Sequence, residues 1–510
     1  MKEKSIENRI LQGTLVIVVV SVLAKFASFI SEAILAAYLG TTYESDAYYM
    51  VSSIQQVVYP MLSVGVWKVF LPIYKEKFAK NEMNSASMIA NKVITLFTII
   101  SIIVTLSIFI FSDVIVGIIA PGFTGETRKL CIQLVRLSSP MYILIMAAAV
   151  YSSMLQCHNK FLGSQIREVA SHIPTIIAAL LFYKLWGIQS LAIALIFGGA
   201  ARLIVELPFV DWGYKYKIDF RFKDTELKTM FKRLPSALIS EGVNQFNTLI
   251  DKIMASSLVG AISSLNYGNK LTNVFSGLLS SAIATALYPQ VVELVALDKR
   301  GELSKLITKI INIFALLMIP ISFGCLLFST SLVSAVFERG AFNADSATMT
   351  SGVFACYCVG LFFVACNTIL KNVFYGYGDT KTPMYISIAN LIANVIGNFV
   401  FIHLWGVKGL ALSTSTSAII AFTVELVFIK KYVRLESKAI IETSVKVILA
   451  SAMACGIPAI IFTLVKVNVY LEWAGAVIMA VVLYFTLIKL FRIKELNDLI
   501  QMFTKKLKHK

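Results

Sequence analysis

Apolar runs of about twenty residues recur along the whole chain, separated by short breaks rich in polar residues and glycine. A helix of about that length crosses roughly 30 Å of hydrocarbon. The pattern predicts fourteen helices, near residues 11–37, 46–71, 88–112, 130–156, 165–184, 187–210, 234–258, 264–290, 304–329, 346–374, 383–403, 408–430, 440–464 and 470–490. Long unbroken runs such as Val93 to Phe111 exclude a β-barrel, whose strands alternate apolar and polar positions. The fold class that follows is an all-α polytopic membrane protein.

Several of these apolar helices nevertheless carry a polar stripe. Glu241, Asn244, Gln245, Thr248 and Lys252 share one face of the seventh helix, and Asn266, Asn269, Lys270, Asn273, Ser276 and Ser280 one face of the eighth. Ser21, Lys25, Ser28 and Glu32 do the same on the first helix, and Ser52, Gln56, Tyr59 and Ser63 on the second, which ends near Lys68. A charge at the centre of a membrane helix costs about 2.5–3.5 kcal/mol on insertion scales, so it normally faces a partner or a cavity. The stripes therefore predict a wet, cationic chamber. Lys270 has no acidic residue within two turns of its own helix, the pattern of a cation waiting for an anionic substrate. Glu241 and Asp251 are the candidates for ion coupling, with Asp251 or Glu241 also a potential partner of Lys252. Tyr48, Tyr49 and Tyr59 read as interface anchors or chamber lining; the role of Arg136 stays open, with an acidic partner elsewhere in the chain as one reading.

The chain also repeats itself. Residues 185–206, LWGIQSLAIALIFGGAARLIVE, align with 404–425, LWGVKGLALSTSTSAIIAFTVE, and the same offset sets Phe123 on Phe342 and Glu206 on Glu425. Near-equal offsets pair Gly40 with Gly260 and Pro72 with Pro289. The chain thus divides into an N-lobe of six helices (1–210), a charged, amphipathic interfacial linker (211–233), a C-lobe of six helices (234–432), two further helices (433–492) and a basic tail (493–510). An even number of spans per lobe makes the repeats parallel, an arrangement common in secondary transporters, and places the chamber between them. Glu206 and Glu425, at equivalent helix ends, suggest a shared structural role.

Composition sharpens this picture. The chain is 57% hydrophobic and 15% charged with a mean hydropathy of +0.78, against about 45–50% apolar and 25% charged in soluble domains. Its net charge of +17 lies mainly in the loops of one side and the ends. That is the positive-inside signal, placing both termini on the cytoplasmic side rather than marking a nucleic-acid surface. The seven cysteines form no CxxC pair and read as small buried hydrophobes; the four histidines show no metal spacing. The sequence contains no P-loop, nucleophile elbow or HExxH, so the expectation is a transporter, not an enzyme, with no cofactor and no metal site.

The stretches LAAYLGTTYESDAYYMVSSI, FLPIYKE, LNYGNKLTNVFSG (265–277), ALYPQV, FERGAF and FYGYGDTKTPMYISI resemble the MurJ/MviN lipid II flippases of the multidrug/oligosaccharidyl-lipid/polysaccharide exporter superfamily. The resemblance implies alternating-access transport of an undecaprenyl-pyrophosphate-linked peptidoglycan precursor, with an apolar groove for its tail near the last two helices. It implies that Lys25 and Lys270 occupy the places of functional arginines, and that Asp46 and Glu32 stand at acidic positions. Ser31 and Tyr59 replace two further arginines, and Asn269 replaces an acid.

The combined expectation has Lys25, Lys270 and Lys252 contacting pyrophosphate, with Glu32, Asp46, Asn244, Gln245, Asn266, Asn269 and Asn273 completing the cargo site. The partners are a polyprenyl-pyrophosphate glycolipid, membrane lipids and cell-wall synthesis enzymes; nucleic acid is excluded. Membrane potential and a monovalent cation both stay open as the driving force. The alternative cargoes are another polyprenyl-linked polysaccharide unit or, for a cation-coupled antiporter, drugs.

Overall fold

An apolar chain without water to bond its backbone closes its hydrogen bonds within each segment, and every predicted segment here is helical. The computed structural model describes residues 2–464 and 469–493; side chains are placed for these except 2–16, 18, 62, 64–66, 68, 233, 236–244, 278–289, 463–464 and 469–474. The side chains of Lys68, Glu241, Asn244 and Ser280 and the basic tail beyond residue 493 therefore lie outside the described residues.

The first compact unit, Met1–Ser263, contains ten helices. They are α1 (Lys2–Leu39), α2 (Tyr43–Ala79), α3 (Met83–Ile110), α4 (Ser112–Ile119), α5 (Gly125–Ser138), α6 (Met141–Cys157), α7 (Phe161–Ile177), α8 (Tyr183–Trp186), α9 (Gln189–Glu206) and α10 (Thr225–Ala255). The second, Ser264–Lys510, holds most of α11 (Ala261–Ala296), then α12 (Arg300–Leu327), α13 (Ser329–Phe337), α14 (Ala344–Cys358), α15 (Leu361–Gly376), α16 (Lys381–Trp405), α17 (Val407–Phe428), α18 (Ser437–Leu464) and α19 (Val469–Leu490). In the first unit α2 packs on α6 and α10, and α7 on α1 and α9. In the second, α16 pairs with α17, and α12 with α15 and α18. Packing thus groups α10 with the first unit, whereas the sequence repeat begins with it.

Each of the fourteen predicted segments has a helical counterpart. Among the described residues eight helices are long and apolar enough to cross a membrane, or up to ten when each bent pair counts as one span. Two predicted helices are broken: α5 and α6 meet at 43° beside Pro140, and α14 and α15 at 42° beside Gly360. At the second break Ser415 Oγ donates to the carbonyl of Cys356 at 2.7 Å, and a Cβ on Gly360 would meet that hydroxyl at 2.8 Å. The fifth predicted helix widens into a π stretch, Ala178–Phe182, after Pro174. The repeat is visible in the backbone: Gly187 and Gly406 both adopt φ 57°, with ψ −147° and −135°, a conformation closed to other residues without strain.

The linker is non-helical over 210–224, and α10 begins at Thr225 rather than at 234. It is tied to α3 by Tyr214 Oη donating to Asn91 (2.7 Å), by the Tyr216 and Thr95 hydroxyls (2.9 Å) and by a Lys92–Asp224 ion pair. Trp212 stacks on His158 at 3.7 Å, and His158 Nε2 hydrogen-bonds Tyr74 Oη at 3.0 Å. Burial holds the His158 imidazole below its ordinary pKa. The packed state therefore binds fewer protons than the detached one. We expect attachment to be complete above the ordinary imidazole range of about 6.5 and to weaken as pH falls through it. Proteolysis of the linker across pH checks this; His158→Phe should remove the dependence, and equal cleavage at pH 5 and 8 in the native chain would contradict it.

Candidate functional site

The stripe residues are positioned in different ways. On α1, Lys25 is exposed, whereas Glu32 is 6% exposed and lies within electrostatic reach of Tyr48. On α10, Gln245 is half-buried, but Lys252 is only 3% exposed and its Nζ donates to Ser53 Oγ of α2 at 2.8 Å. Asp251 is buried beside it in sequence. On α11, Asn266, Asn269 and Lys270 are half-buried and Asn273 is exposed, with Asn273 Nδ2 donating to Asn269 Oδ1 at 2.7 Å. One amide-rich face beside Lys270 is therefore present as the spacing predicts. Lys25 and Lys252 belong to the first unit and Lys270 to the second.

Asp46 is held in a different setting. Thr42 and Ser45 start α2 with a reciprocal capping box, which turns Asp46 inward, where it is 1% exposed. Its carboxylate accepts from Gly260 N (2.5 Å), Ser263 N (2.8 Å) and Ser263 Oγ (2.8 Å). These are orphan donors of the turn and first residues of α11, where a negative charge also suits the helix dipole. Asp46 locks this turn.

Tyr48 and Tyr49 are 3% and 2% exposed, so they are core residues and not interface anchors. Tyr59 belongs to a buried polar cluster. Arg202 Nη1 donates to Tyr59 Oη at 2.7 Å and to Glu168 at 2.9 Å, and the guanidinium lies 4.7 Å from the Tyr59 ring centre. Arg167 adds a 3.4 Å ion pair to Glu168 and a 3.6 Å pair to Glu206. Sequence reading missed Arg167 and Glu168; the signal was an adjacent Arg–Glu pair in an otherwise apolar segment. Arg136, whose role the sequence leaves open, donates from Nε to Ser112 Oγ at 2.7 Å. Glu206 and Glu425 are both 0% exposed, with both carboxylate oxygens lacking a hydrogen-bond donor, so the two repeats share this feature in detail.

Two apolar cavities open on the last helices of the second unit. One, of 480 Å³, runs along Phe323, Phe363, Phe422, Ile441 and Ile448; the other, of 330 Å³, along Leu317, Cys455, Val481 and Phe485. Among the described residues no group of three or more His, Cys, Asp or Glu side chains is placed to hold a metal.

A bundle of apolar helices built from a repeat, with lysines and amides set on faces of those helices, defines a multi-span membrane transporter. The family described as lipid II flippase MurJ matches residues 35–492. The chain belongs to that family. A probable lipid II flippase MurJ of Rickettsia prowazekii is 26% identical, covering 88% of this chain and 89% of its own. The Thermotoga maritima counterpart is 23% identical over 94% and 96%. In structure, a lipid II flippase MurJ in an inward closed conformation superposes with a TM-score of 0.81 at 21% identity, covering 95% of this chain and all of that one. An inward-facing multidrug resistance MATE transporter superposes with a TM-score of 0.67 at 14% identity, covering 82% of this chain and 96% of that one, a likeness of fold.

Asp46→Ala strands the backbone donors of Gly260 and Ser263, each worth about 1–3 kcal/mol when left buried and unpaired, while the Ser263 hydroxyl keeps the Gly260 carbonyl at 3.1 Å. The expected result is a lower melting temperature in detergent without cargo, with a smaller loss for Asp46→Asn. Unchanged stability with lost transport would assign Asp46 to the cargo instead.

Proposed function

We propose that the chain moves lipid II, the undecaprenyl-pyrophosphate-linked peptidoglycan precursor, from the inner to the outer leaflet of a bacterial cytoplasmic membrane by alternating access. The observation that carries this reading is the family match across 35–492, on a chain whose membrane helices carry Lys25 and Lys270. Lys25 and Lys270 meet the pyrophosphate as point charges, without the bidentate fork that arginine offers. Gln245, Asn266, Asn269 and Asn273 hydrogen-bond the sugars and peptide, and so does Asn244, on the sequence stripe of Gln245. Lys252 supports the α2–α10 packing through Ser53, and Glu32 balances charge on α1. The apolar cavities along α18 and α19 suit the polyprenyl tail, since their linings are almost wholly hydrocarbon.

The reaction is transport without covalent chemistry. Both termini face the cytoplasm, as the basic loops favour. Each of the membrane-embedded lysines feels an inside-negative potential worth ~2.3 kcal/mol per charge per 100 mV, which draws the emptied cationic site back inward. Glu241 and Asp251 remain the candidates for coupling to a cation.

The test is rescue of cells depleted of their own lipid II flippase. The native chain should restore growth, and Lys25→Ala and Lys270→Ala should fail at matched membrane levels. Rescue by both variants would remove the lysines from cargo binding, and failure of the inserted native chain would point to another polyprenyl-linked glycan.

A further inference from the structure

A polar cavity lies within the first unit. It measures 230 Å³ and is lined by Ser63 and Trp67 of α2, Ser152, Ser153 and Gln156 of α6, and Arg167 of α7. Among the described residues its one charged lining side chain is Arg167. The Arg167 Nε is buried and makes no hydrogen bond, and the nearest carboxylate oxygen, on Glu168, is 3.4 Å away. The carboxylates around it are occupied or set back. Glu168 takes its short contacts from Arg202 (2.9 Å) and Tyr59 (3.2 Å), and Glu206 sits fully buried, 3.6 Å from Nη1, without lining the cavity. Gln156 accepts from Trp67 Nε1 at 3.0 Å through its oxygen, which leaves its amide nitrogen as a donor.

Arg167 Nη1 donates to the carbonyl of Ala148 at 3.5 Å, so the donor left over is Nε; a buried guanidinium nitrogen without a hydrogen bond is costly to keep, and an oxyanion is the ligand that satisfies it. Arginine matches such groups with a planar fork, and a hydroxyl-lined cavity supplies further donors and acceptors. We propose that this cavity is a phosphate-class anion site centred on Arg167, independent of the cargo reading above. A lipid headgroup and a water-borne phosphate share this chemistry. Trp67, at the rim and 42% exposed, is a built-in reporter of occupancy.

The test uses the full-length protein in detergent micelles, titrated with inorganic pyrophosphate while tryptophan fluorescence is recorded. A saturable change is expected that disappears in Trp67→Phe. Arg167→Lys keeps the positive charge beside Glu206 and Glu168 but loses the fork, and should weaken binding about tenfold or more, the equivalent of one charged hydrogen bond. Arg136→Lys, in a cation bonded elsewhere, should leave it unchanged. Arg167→Gln should abolish the response; should that variant fail to insert, Arg167→Lys carries the test alone. A parallel arm places the protein in phosphatidylcholine nanodiscs with and without phosphatidylglycerol. A Trp67 response to phosphatidylglycerol alone, lost with Arg167, assigns the site to lipid headgroups; a response to pyrophosphate assigns it to free anions. No response in either arm, or one that survives Arg167→Lys and Arg167→Gln, overturns the proposal.

Discussion

Burying charge in an apolar helix bundle is the constraint on which this architecture depends. A carboxylate or guanidinium removed from water has to be met by donors, acceptors or an opposite charge, or the segment carrying it does not stay where it is. Asp46 shows the constraint solved completely: three donors from the α10–α11 turn converge on it, fixing where α11 starts relative to α2. The α2–α7–α9 seam shows a partial solution, with Arg202 well bonded and Arg167 less so. Lys252 reaches Ser53 in the same unit. These contacts determine how the helices of the first unit register against one another, and the lysines left on the accessible faces are those available to a cargo.

The repeat extends this logic to both units. Gly187 and Gly406 turn the chain with the same backbone angles, and Glu206 and Glu425 are buried to the same extent some nineteen residues later. The surroundings have diverged. Glu206 faces Arg167, whereas the neighbourhood of Glu425 contains Lys371, whose Nζ bonds Ser387. The glutamate position is thus shared while its partners are specific to each unit.

The helices, the repeat and the stripe around Asn269, Lys270 and Asn273 were legible in the sequence, because hydropathy period reports directly on the faces of a single helix. Breaks inside helices were less so. Pro140 sits at a bend, yet Pro174 precedes only a widening, because neighbouring helices decide how the freed carbonyls are met. Partner choice was the least legible. Tyr59 reads in sequence as a lost arginine, but in the fold the Arg202 guanidinium rests on its ring and hydroxyl, a contact between residues 143 positions apart. Arg136 likewise found a serine, and Tyr48 and Tyr49 a core, since no periodicity encodes what stands opposite.

The most direct test of the central claim is translocation by the purified chain in proteoliposomes loaded with lipid II, read as the appearance of its headgroup on the far leaflet. The account predicts transfer well above that of empty vesicles, strengthened by a membrane potential and lost when Lys25 and Lys270 are both replaced by alanine. Transfer at the empty-vesicle rate by correctly folded protein, under either sign of potential, would contradict it.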